Sequence, residues 1–458
     1  MNEQNGKLSA YFPGLVDVCK NDDGQLLYCT VQDGHLVFSD QHTTDTETLT
    51  IPDEQHFPFL LPRAGEVQRY YSQDDTTLYD DLLAYLKRFS ALDAEQWPLV
   101  VYYIFLTYLH DHRDIDYCGY LLFYAVPERG KSRTGKSASY VSFRASHLIE
   151  LREPIIFRYT ENFHGTLFLD LMDVSKKAAQ SQSEDLLLLR AEKGVKCVRV
   201  NRPDLGAFLD TDRYDIYGPT IIATNEQLHK ILGTRCLPII MPNCPGDYEN
   251  PRPELGLELK ERLTAWRAKH LFAALPSLKP LEGISGRLWD ISKPLLQISM
   301  LVKRQSLELL HALRRIASDK IESRQDTTEG RIAAIVKEIS EAGGYDRLEE
   351  WSISQGNILV RLNEGRAEGY KTSPQGLGLK LKTMSLRTRH VKGYAELMIT
   401  RHEYRMLLEQ NGFECRELQL SPNSLPEKHE EVQLDLREVE SSRESGEGQG
   451  GNHDNLPF

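Results

Sequence analysis

The chain has 458 residues, a length that predicts about two to four domains rather than a single core. Hydrophobic residues make up 40% and charged residues 27%, as in ordinary soluble globular proteins, and the longest apolar stretch, 97–109, is about half as long as a membrane span. The net charge of −12 argues against nucleic-acid binding by the whole surface, but the charged residues are unevenly distributed along the chain. Residues 427–458 carry nine acidic and three basic side chains, whereas Lys371 to Lys392 hold six basic side chains and no acidic one. A basic patch is therefore expected within an acidic protein.

The seven cysteines are scattered along the chain, and no pair has CxxC spacing. This usage favours a reducing compartment and argues against a disulfide framework or a zinc knuckle. The N-terminus shows no basic stretch followed by an apolar run, so we expect a cytoplasmic protein with no membrane partner.

In chain order, residues 1–75 are predicted to form a small β-rich region. Two β-type runs in it, LLYCTV and HLVFSD, flank the turn sequence QDG, which is typical of a hairpin. Residues 76–115 are predicted to form a helical lead-in of two helices, Leu78 to Phe89 and Asp93 to His110. Asp93 is the expected N-cap of the second helix.

Residues 116–255 alternate apolar strands with polar segments that can form helices. The predicted strands are GYLLFYAV (119–126), REPIIFRYT (152–160), GTLFLDLMDV (165–174), GVKCVRV (194–200) and GPTIIATN (218–225). Near-continuous apolar strands separated by helices predict a mainly parallel sheet that is covered on both faces.

The composition changes after this segment. Residues 256–325 are predicted to be almost wholly helical, and residues 326–415 to form a compact basic unit opened by a capping box at Asp326-Thr-Thr-Glu329. From residue 372 this unit is expected to run helix, helix, glycine turn, strand and last helix. Residues 416–458 are polar and acidic, which predicts a disordered tail.

The strongest functional motif is Gly130-Lys-Ser-Arg-Thr-Gly-Lys-Ser137, which matches GxxxxGK[ST] between an apolar strand and a helix. In such a phosphate-binding loop, glycines turn backbone N–H groups toward the phosphates, Lys136 places a cation on the β and γ oxygens, and Ser137 offers a hydroxyl to Mg²⁺. The helix that begins here adds its positive N-terminal end to the same anion. ATP and Mg²⁺ are therefore the expected cofactors. The predicted cofactor-binding residues are Gly130, Lys131, Ser132, Arg133, Thr134, Gly135, Lys136 and Ser137.

Three further positions are predicted to act beside this loop. Asp170 ends an apolar strand, expected to neighbour the strand of the loop, and would hold the metal as a Walker B aspartate, or else cap the next helix. Asn225 ends another strand and would bond the γ-phosphate or the attacking water, or merely cap a helix from Glu226. Arg235 precedes a further strand and would be an arginine finger for a neighbouring subunit, or else an ordinary surface salt-bridge partner.

Leu171 directly follows Asp170. At this position, P-loop proteins that hydrolyse ATP usually have a glutamate that orients the attacking water. Asp173 is the nearest substitute, and Glu128 and Glu184 are weaker candidates. Both efficient hydrolysis through Asp173 and slow hydrolysis are compatible with this sequence.

These motifs, in this order and spacing, resemble the ATPase core of the AAA+ class. The segment from Trp97 to Asn225 is most similar to the superfamily 3-like helicase ATPases of phages, plasmids and integrated elements, through YLHDHRDID, GKSRTGKS, LFLDLMD, LLRAEKGVKCVRV and YGPTIIATNE, with TRCLPIIMP beyond it. The resemblance implies an α/β P-loop core with an AAA+-like parallel sheet, a helical lid, a small N-terminal β-containing region and a C-terminal winged helix. It also implies a ring, expected to be a hexamer, that moves on single-stranded or forked DNA.

The same resemblance implies further contacts. A hairpin before the sensor strand would point basic side chains into a central pore, unless its lysines only keep an edge soluble. Arg287, within GISGRLWDISKPLLQI, would be a second nucleotide sensor in the lid. The basic residues of the winged helix would attract phosphates regardless of base sequence. The candidate DNA-binding residues are Lys193, Lys196 and Arg199 in the pore, and Lys380, Lys382, Arg387, Arg389 and Lys392 in the winged helix.

The favoured function is an ATP-dependent DNA motor, similar to a replicative helicase of a mobile element. The alternative is a DNA-associated regulator or switch that binds ATP and hydrolyses it weakly, which the leucine after the Walker B aspartate supports. A metabolic P-loop kinase would need its own substrate lid, and it would leave Arg235 and the basic unit unexplained.

Overall fold

The computed structural model describes most of the chain. The described residues are 6–171, 174, 177–178, 184–206, 208–226, 228–243, 246–304, 307–391 and 393–414. Asp173, Lys392 and the predicted tail lie outside them. The chain divides into two compact units, Met1–Asp326 and Thr327–Phe458. No helix in the described ranges is long and apolar enough to cross a bilayer.

The first unit opens with two small sheets. Their strands are β1 (Lys7–Leu8), β2 (Asp17–Lys20), β3 (Leu26–Gln32), β4 (His35–Ser39), β5 (Gln41–Thr43) and β6 (Thr48–Thr50). Strands β2, β3 and β4 form one sheet, and β1, β6 and β5 form the other. The predicted hairpin is confirmed, since β3 and β4 pair antiparallel around Asp33 and Gly34. Both turn residues have positive φ, 48° and 77°, as a tight hairpin turn requires.

Two buried arginines tie this N-terminal region to the remainder of the unit. Arg144 Nε donates to Asp17 Oδ1 at 2.8 Å. Arg267 donates to the carbonyl of Val16 at 2.8 Å and, through both terminal nitrogens, to the carboxylate of Asp111 at 2.6 and 2.7 Å. Because a guanidinium has five donors in a fixed plane, one side chain can satisfy a carboxylate and backbone carbonyls together.

The helices of the first unit precede, connect and follow the strands of its parallel sheet along the chain. They are α1 (Ala64–Tyr71), α2 (Leu78–Lys87), α3 (Gln96–Leu109), α4 (Lys131–Val141), α5 (Glu153–Phe163), α6 (Glu184–Leu189), α7 (Lys230–Gly233), α8 (Leu257–His270), α9 (Gly286–Leu301) and α10 (Leu307–Gln325). Helix α3 is buried at every residue from Trp97 to Leu109, as an evenly apolar helix should be. It begins at Gln96 with Glu95 as its N-cap residue, so the prediction of Asp93 as the cap is wrong.

The main sheet has five parallel strands in the order β13-β7-β12-β9-β8. Its strands and the separate hairpin β10–β11 are β7 (Tyr120–Tyr124), β8 (Ser146–Leu148), β9 (Leu167–Asp170), β10 (Lys196–Val200), β11 (Thr211–Asp215), β12 (Thr220–Thr224) and β13 (Cys236–Ile240). The α/β class and the parallel sheet are as predicted, and the arrangement is compatible with a P-loop NTPase core. However, β12 lies between β7 and β9, so the prediction that the strand of Asp170 neighbours the strand of the loop is wrong.

Two predicted sheet strands have other structures. Residues 152–160 lie almost wholly in α5, because Glu153 and Pro154 suit a first helical turn and the buried residues recur at helical spacing. Residues 194–200 contain β10, which pairs antiparallel with β11 in its own hairpin, and whose exposed and buried residues alternate. The helical segment predicted at 256–325 forms three helices, α8, α9 and α10, and Pro276 and Pro280 disfavour helix between α8 and α9.

The second unit combines helices with a three-stranded antiparallel sheet in the order β14-β16-β15. Its elements are α11 (Thr328–Ala342), β14 (Glu350–Ser354), α12 (Gln355–Asn363), α13 (Pro374–Thr383), β15 (Arg387–Val391), β16 (Tyr394–Thr400) and α14 (Arg401–Gln410). The predicted second helix after α13 is therefore a strand. Thr327 and not Asp326 caps α11, accepting from Gly330 N at 3.1 Å. A full capping box occurs instead at Thr400 and Glu403.

Candidate nucleotide-binding site

The carboxyl ends of β7, β12 and β9 meet at one edge of the parallel sheet. Ala125 N donates to Thr224 O at 3.4 Å, and Leu171 N donates to Ala223 O at 3.3 Å, so the three strands end level with one another. Ligands of open α/β sheets bind outside this carboxyl edge. The segments that follow these strands are therefore placed where a nucleotide site would form.

The motif 130–137 follows β7 and is helical from its second residue. Gly130 has a left-handed backbone, φ 76°, and is the N-cap of α4, while Thr134 N donates to Gly130 O at 2.9 Å. Helix α4 thus begins within the motif, as predicted. The first-turn N–H groups from Lys131 onward have no partner inside the helix, so together with the helix dipole they favour an anion there.

Gly135 allows α4 to lie against β9. A Cβ atom at this position would be 2.5 Å from Cε2 of Phe168, a ring that is fully buried in the sheet. Gly135 therefore allows α4 to pack closely against β9, and any side chain at this position would prevent that packing.

We expect Gly135→Ala to destabilise the first unit by about 1–3 kcal/mol, the usual cost of overpacking a filled core. The measurement is the urea midpoint of the full chain followed by circular dichroism. Gly65→Ala is the matched control, because Gly65 also lies in a helix but its added Cβ would meet nothing within 4 Å. An equal midpoint for the two variants would contradict this packing role.

Asp170 reaches the motif through a side-chain hydrogen bond, in which Ser132 Oγ donates to Asp170 Oδ1 at 2.8 Å. Ser137 is fully buried, and its Oγ donates to Thr134 O at 2.9 Å. No group of three His, Cys, Asp or Glu side chains in the described part of the chain could hold a metal by itself. The oxygen atoms of Asp170 and Ser137 nevertheless fit Mg²⁺, which is usually bound by one or two carboxylates together with substrate phosphates.

Asn225 follows β12 at the same edge. Its Oδ1 is buried and has no hydrogen-bond partner in the ranges that the structure describes. Asn225 does not cap α7, because that helix begins at Lys230 and its N-cap residue is His229. A buried acceptor without a partner is costly, so this oxygen suits a donor supplied by a ligand or a water molecule.

His147 lies near these groups, and sequence reasoning missed it. It stands on β8 in register with Phe168, and the two rings stack with centroids 4.7 Å apart. Burial lowers the pKa of His147, while the Asp170 carboxylate raises it and the Lys136 ammonium lowers it further. The charges of both Asp170 and Lys136 therefore act on the His147 ring. The sequence could not predict this position, because β8 has only three residues and no recognisable hydrophobic pattern.

Arg235 and Arg287 are not brought to this edge. Tyr120 N donates to Arg235 O at 2.8 Å, which places Arg235 beside the start of β7, at the amino edge of the sheet. Arg287 lies over the ring of Tyr117 at 5.3 Å and 3.8 Å from the carboxylate of Glu192, close to the same edge. A five-residue strand spans about 15 Å, so the guanidinium of Arg287 and the backbone of Arg235 lie far from the motif of their own chain. The guanidinium of Arg235 donates to Ile231 O at 3.2 Å.

The predicted pore residues have different surroundings. Lys193 precedes the β10–β11 hairpin, and its Nζ donates to the carbonyl of His112 at 2.6 Å; burial lowers its pKa. Arg199 forms an ion pair with Glu153. Lys196, at the start of β10, is exposed. Lys193 and Arg199 are thus held by contacts within the chain, whereas Lys196 is exposed to solvent.

The predicted basic residues of the second unit also differ from one another. Lys380 pairs with Glu329 at 2.6 Å, and Arg387 pairs with Glu403 at 3.2 Å. Lys382, on α13, and Arg389, on β15, are exposed. Lys392 lies outside the described residues.

Neither a protein-family model nor a curated protein matches the chain. Among solved structures, the chain is similar to the SCCmec type IV Cch active helicase, with 11% identity over 83% of this chain and 78% of that one, at a TM-score of 0.34. It is similar to the NrS-1 C-terminal region in its A-form apo structure, with 10% identity over 84% and 97% and a TM-score of 0.33. A third similar structure is the JCV helicase, with 12% identity over 54% and 65% and a TM-score of 0.24.

Proposed function

We propose that the protein is an ATP-dependent DNA motor, a replicative helicase-like ATPase that forms a ring. The observation that carries this proposal is the meeting of the motif 130–137 with Asp170 and Asn225 at the carboxyl edge of one parallel sheet. Lys136 would neutralise the β and γ phosphates, and Ser137 and Asp170 would hold Mg²⁺, which polarises the phosphoryl group when bound. The buried oxygen of Asn225 would accept from the water that attacks.

The position of Arg235 supports a ring. Its backbone lies at the amino edge of the sheet, a strand length from the motif of its own chain. Its partly exposed guanidinium donates to Ile231 O at 3.2 Å, and we expect it to complete a site across a subunit boundary. Residues 256–325 are then the lid of this ATPase. Arg287, near the same edge, would contact the nucleotide of a neighbour and not its own.

The second unit supports DNA as the partner. We assign residues 326–415 to a winged-helix domain, in which α13 is the recognition helix and the β15–β16 hairpin is the wing. The order α11, β14, α12, α13, β15, β16 suits this domain, and the exposed Lys382 and Arg389 lie on its two DNA-facing elements. Their positive charge would attract phosphates without reading the base sequence.

The alternative is a DNA-associated regulator that binds ATP and hydrolyses it weakly. Two observations favour it: Leu171 is buried where a glutamate would orient water, and the hydroxyl of Ser132 occupies an oxygen of Asp170. Asp173, the proposed substitute for the glutamate, lies outside the described residues.

ATP turnover with and without single-stranded DNA, run beside unwinding of a forked duplex and sizing of the particle with ATP, separates the two functions. A motor shows turnover that DNA stimulates, strand separation and a particle of several subunits. Binding of ATP without DNA-stimulated turnover would reject the motor and favour the regulator.

The double change Lys382→Ala with Arg389→Ala should weaken binding of the full chain to duplex DNA by about tenfold and reduce the salt dependence of that binding. The physical reason is the loss of two exposed cations that release counterions from the phosphates. Fluorescence anisotropy at several salt concentrations measures both quantities.

The matched control is Lys380→Ala with Arg387→Ala, which removes the same charge from residues that already pair with Glu329 and Glu403. Its effect should be smaller. Equal losses in the two double variants would mean that the total charge of the unit matters and not the proposed DNA-facing elements.

A further inference from the structure

The triplet Gly-Lys-Ser occurs twice in the motif 130–137, five residues apart. The first triplet is 130–132 and the second is 135–137. The full pattern GxxxxGK[ST] matches 130–137 and ends on the second triplet. Residues 125–132, AVPERGKS, end on the first triplet and depart from the pattern only at Ala125, where the pattern has glycine. The fold decides which of these two alignments can surround phosphates.

A phosphate-binding loop lies between a strand and the N-terminus of the helix that follows it. Strand β7 ends at Tyr124 and α4 begins at Lys131, so the connecting loop is 125–130. The alignment 125–132 fills this loop and ends in the first turn of α4. The alignment 130–137 has seven of its eight residues, 131–137, inside α4, where they cannot form a loop around phosphates.

The backbone donors that an anion could use also belong to the alignment 125–132 and its neighbour. Thr134 N donates to Gly130 O at 2.9 Å, so from this residue onward the helix uses its own N–H groups. The N–H groups left for an anion are those of 131–133. In the loop before them, Glu128 and Gly130 have left-handed backbones, φ 68° and 76°. Such residues turn N–H groups into an anion-binding concavity, and strain at a non-glycine residue is common where a loop holds a ligand.

The serines of the two triplets have different surroundings. Ser137 is fully buried in α4, and its Oγ donates to Thr134 O at 2.9 Å. Ser132 is half-buried, and its Oγ donates to Asp170 Oδ1 at 2.8 Å. Neighbouring ligands of an octahedral Mg²⁺ lie about 2.9 Å apart, because each is about 2.0–2.1 Å from the ion. The oxygens of Ser132 and Asp170 therefore already have the spacing of two ligands of one ion.

The second triplet lies against the sheet. A Cβ atom on Gly135 would meet the ring of Phe168 on β9 at 2.5 Å and Ala223 on β12 at 3.6 Å, so this part of α4 faces the strands. A cavity beside the motif has residues 128–130 in its wall and, in the described part of the chain, no residue of 135–137. Open space next to the motif thus lies beside the first triplet.

We propose that the loop 125–130 and the first triplet hold the phosphates. Lys131 is then a second phosphate-binding lysine beside Lys136. Ser132 replaces Ser137 as the hydroxyl ligand of Mg²⁺. This proposal rests on the proposed function, because it keeps the nucleotide at the same edge of the sheet. Lys136 stays part of the site, since it lies four residues after Ser132 and therefore on the same side of α4.

The test of the serine measures ATP binding to the full chain by calorimetry, with Mg²⁺ and with a chelator in its place. Ser132→Ala should reduce the strengthening of ATP binding by Mg²⁺ about tenfold, because one ligand of the ion is lost. With the chelator this variant should bind ATP as the wild type does, whereas a merely structural role would weaken binding in both conditions. Ser132→Thr keeps the hydroxyl and should keep the effect of Mg²⁺.

Ser137→Ala decides between the two serines, and it should keep the full effect of Mg²⁺. Its matched control is Ser139→Ala, which removes another buried hydroxyl of α4. Ser139 Oγ donates to Lys136 O at 2.8 Å, a carbonyl three residues earlier, just as Ser137 Oγ donates to Thr134 O. Thermal melts of all variants show whether any loss of binding comes from unfolding.

The test of the lysine uses inorganic tripolyphosphate without Mg²⁺, so that only the chain contacts the phosphates. Lys131→Ala should weaken tripolyphosphate binding about tenfold, the size of one lost hydrogen bond between charged groups. Lys87→Ala removes an exposed lysine from the end of α2 and should leave this binding unchanged.

A folded Ser132→Ala variant with the full effect of Mg²⁺ would overturn the assignment of the serine. Loss of that effect in Ser137→Ala but not in Ser139→Ala would overturn it as well. Tripolyphosphate binding that is unchanged in Lys131→Ala would overturn the role of this lysine. The proposed function fails separately, if single-stranded DNA does not stimulate ATP turnover by the wild type, because the binding measurements still decide between the two triplets.

Discussion

Lys136→Ala is expected to reduce ATP turnover by a factor on the order of 100 to 1,000, the usual cost of removing one group that stabilises charge in the transition state. The lysine lies in the first turns of α4, where its ammonium would face the β and γ phosphates. It is partly exposed, so its removal should not disturb the core. Steady-state phosphate release at saturating ATP, with and without single-stranded DNA, measures the effect.

Lys87→Ala is the control for this variant, because it removes an exposed lysine from the end of α2 without touching the motif. Its turnover should equal that of the wild type. If Lys136→Ala retained full turnover while melting at the wild-type temperature, the motif would not be the site of hydrolysis, and the proposed function would be wrong.

Asp111→Ala is expected to destabilise the first unit by about 3–5 kcal/mol, because it leaves the guanidinium of Arg267 buried without its carboxylate. Arg267 is fully buried, and it also bonds the backbone of Val16, so the loss should loosen the N-terminal β-strands. Chemical unfolding of the full chain gives the free energy. Glu47→Ala is the matched control: it breaks the exposed pair of Lys7 and Glu47, at 3.2 Å, and should change the midpoint little.

The ion pair of Asp111 and Arg267 predicts that the stability of the first unit depends on pH. Burial by itself would raise the pKa of Asp111, but the charge and hydrogen bonds of Arg267 outweigh it and hold that pKa well below the usual range. A carboxylate with a lowered pKa stabilises the fold above its unfolded value of about 3.9, and this contribution is lost as pH falls toward the folded pKa. Asp111→Ala should therefore flatten the loss of stability below about pH 4. An acid limb as steep as that of the wild type would show that other carboxylates cause it.

Much of the parallel core could be predicted because its signals are local. Each of the apolar runs that became β7, β9 and β12 is bounded by residues that end a strand, and the motif after β7 has few allowed spacings. The helical spacing of 152–160 was equally present in the sequence, but a short run with Ile and Phe at several positions fits a strand as well as a helix. The contacts of α5 with the hairpin strand β11 decide this case.

The sequence by itself determined the motif 130–137, the acid that ends one strand and the amide that ends another, since the chemistry of a phosphate site depends on residue types at set spacings. Only the tertiary structure decided which of them meet. It placed β12 between β7 and β9, and it placed Arg235 and Arg287 near the amino edge of the sheet. Strand order and cavities arise from contacts between segments distant in the chain, and no local pattern encodes which distant surfaces bury each other best.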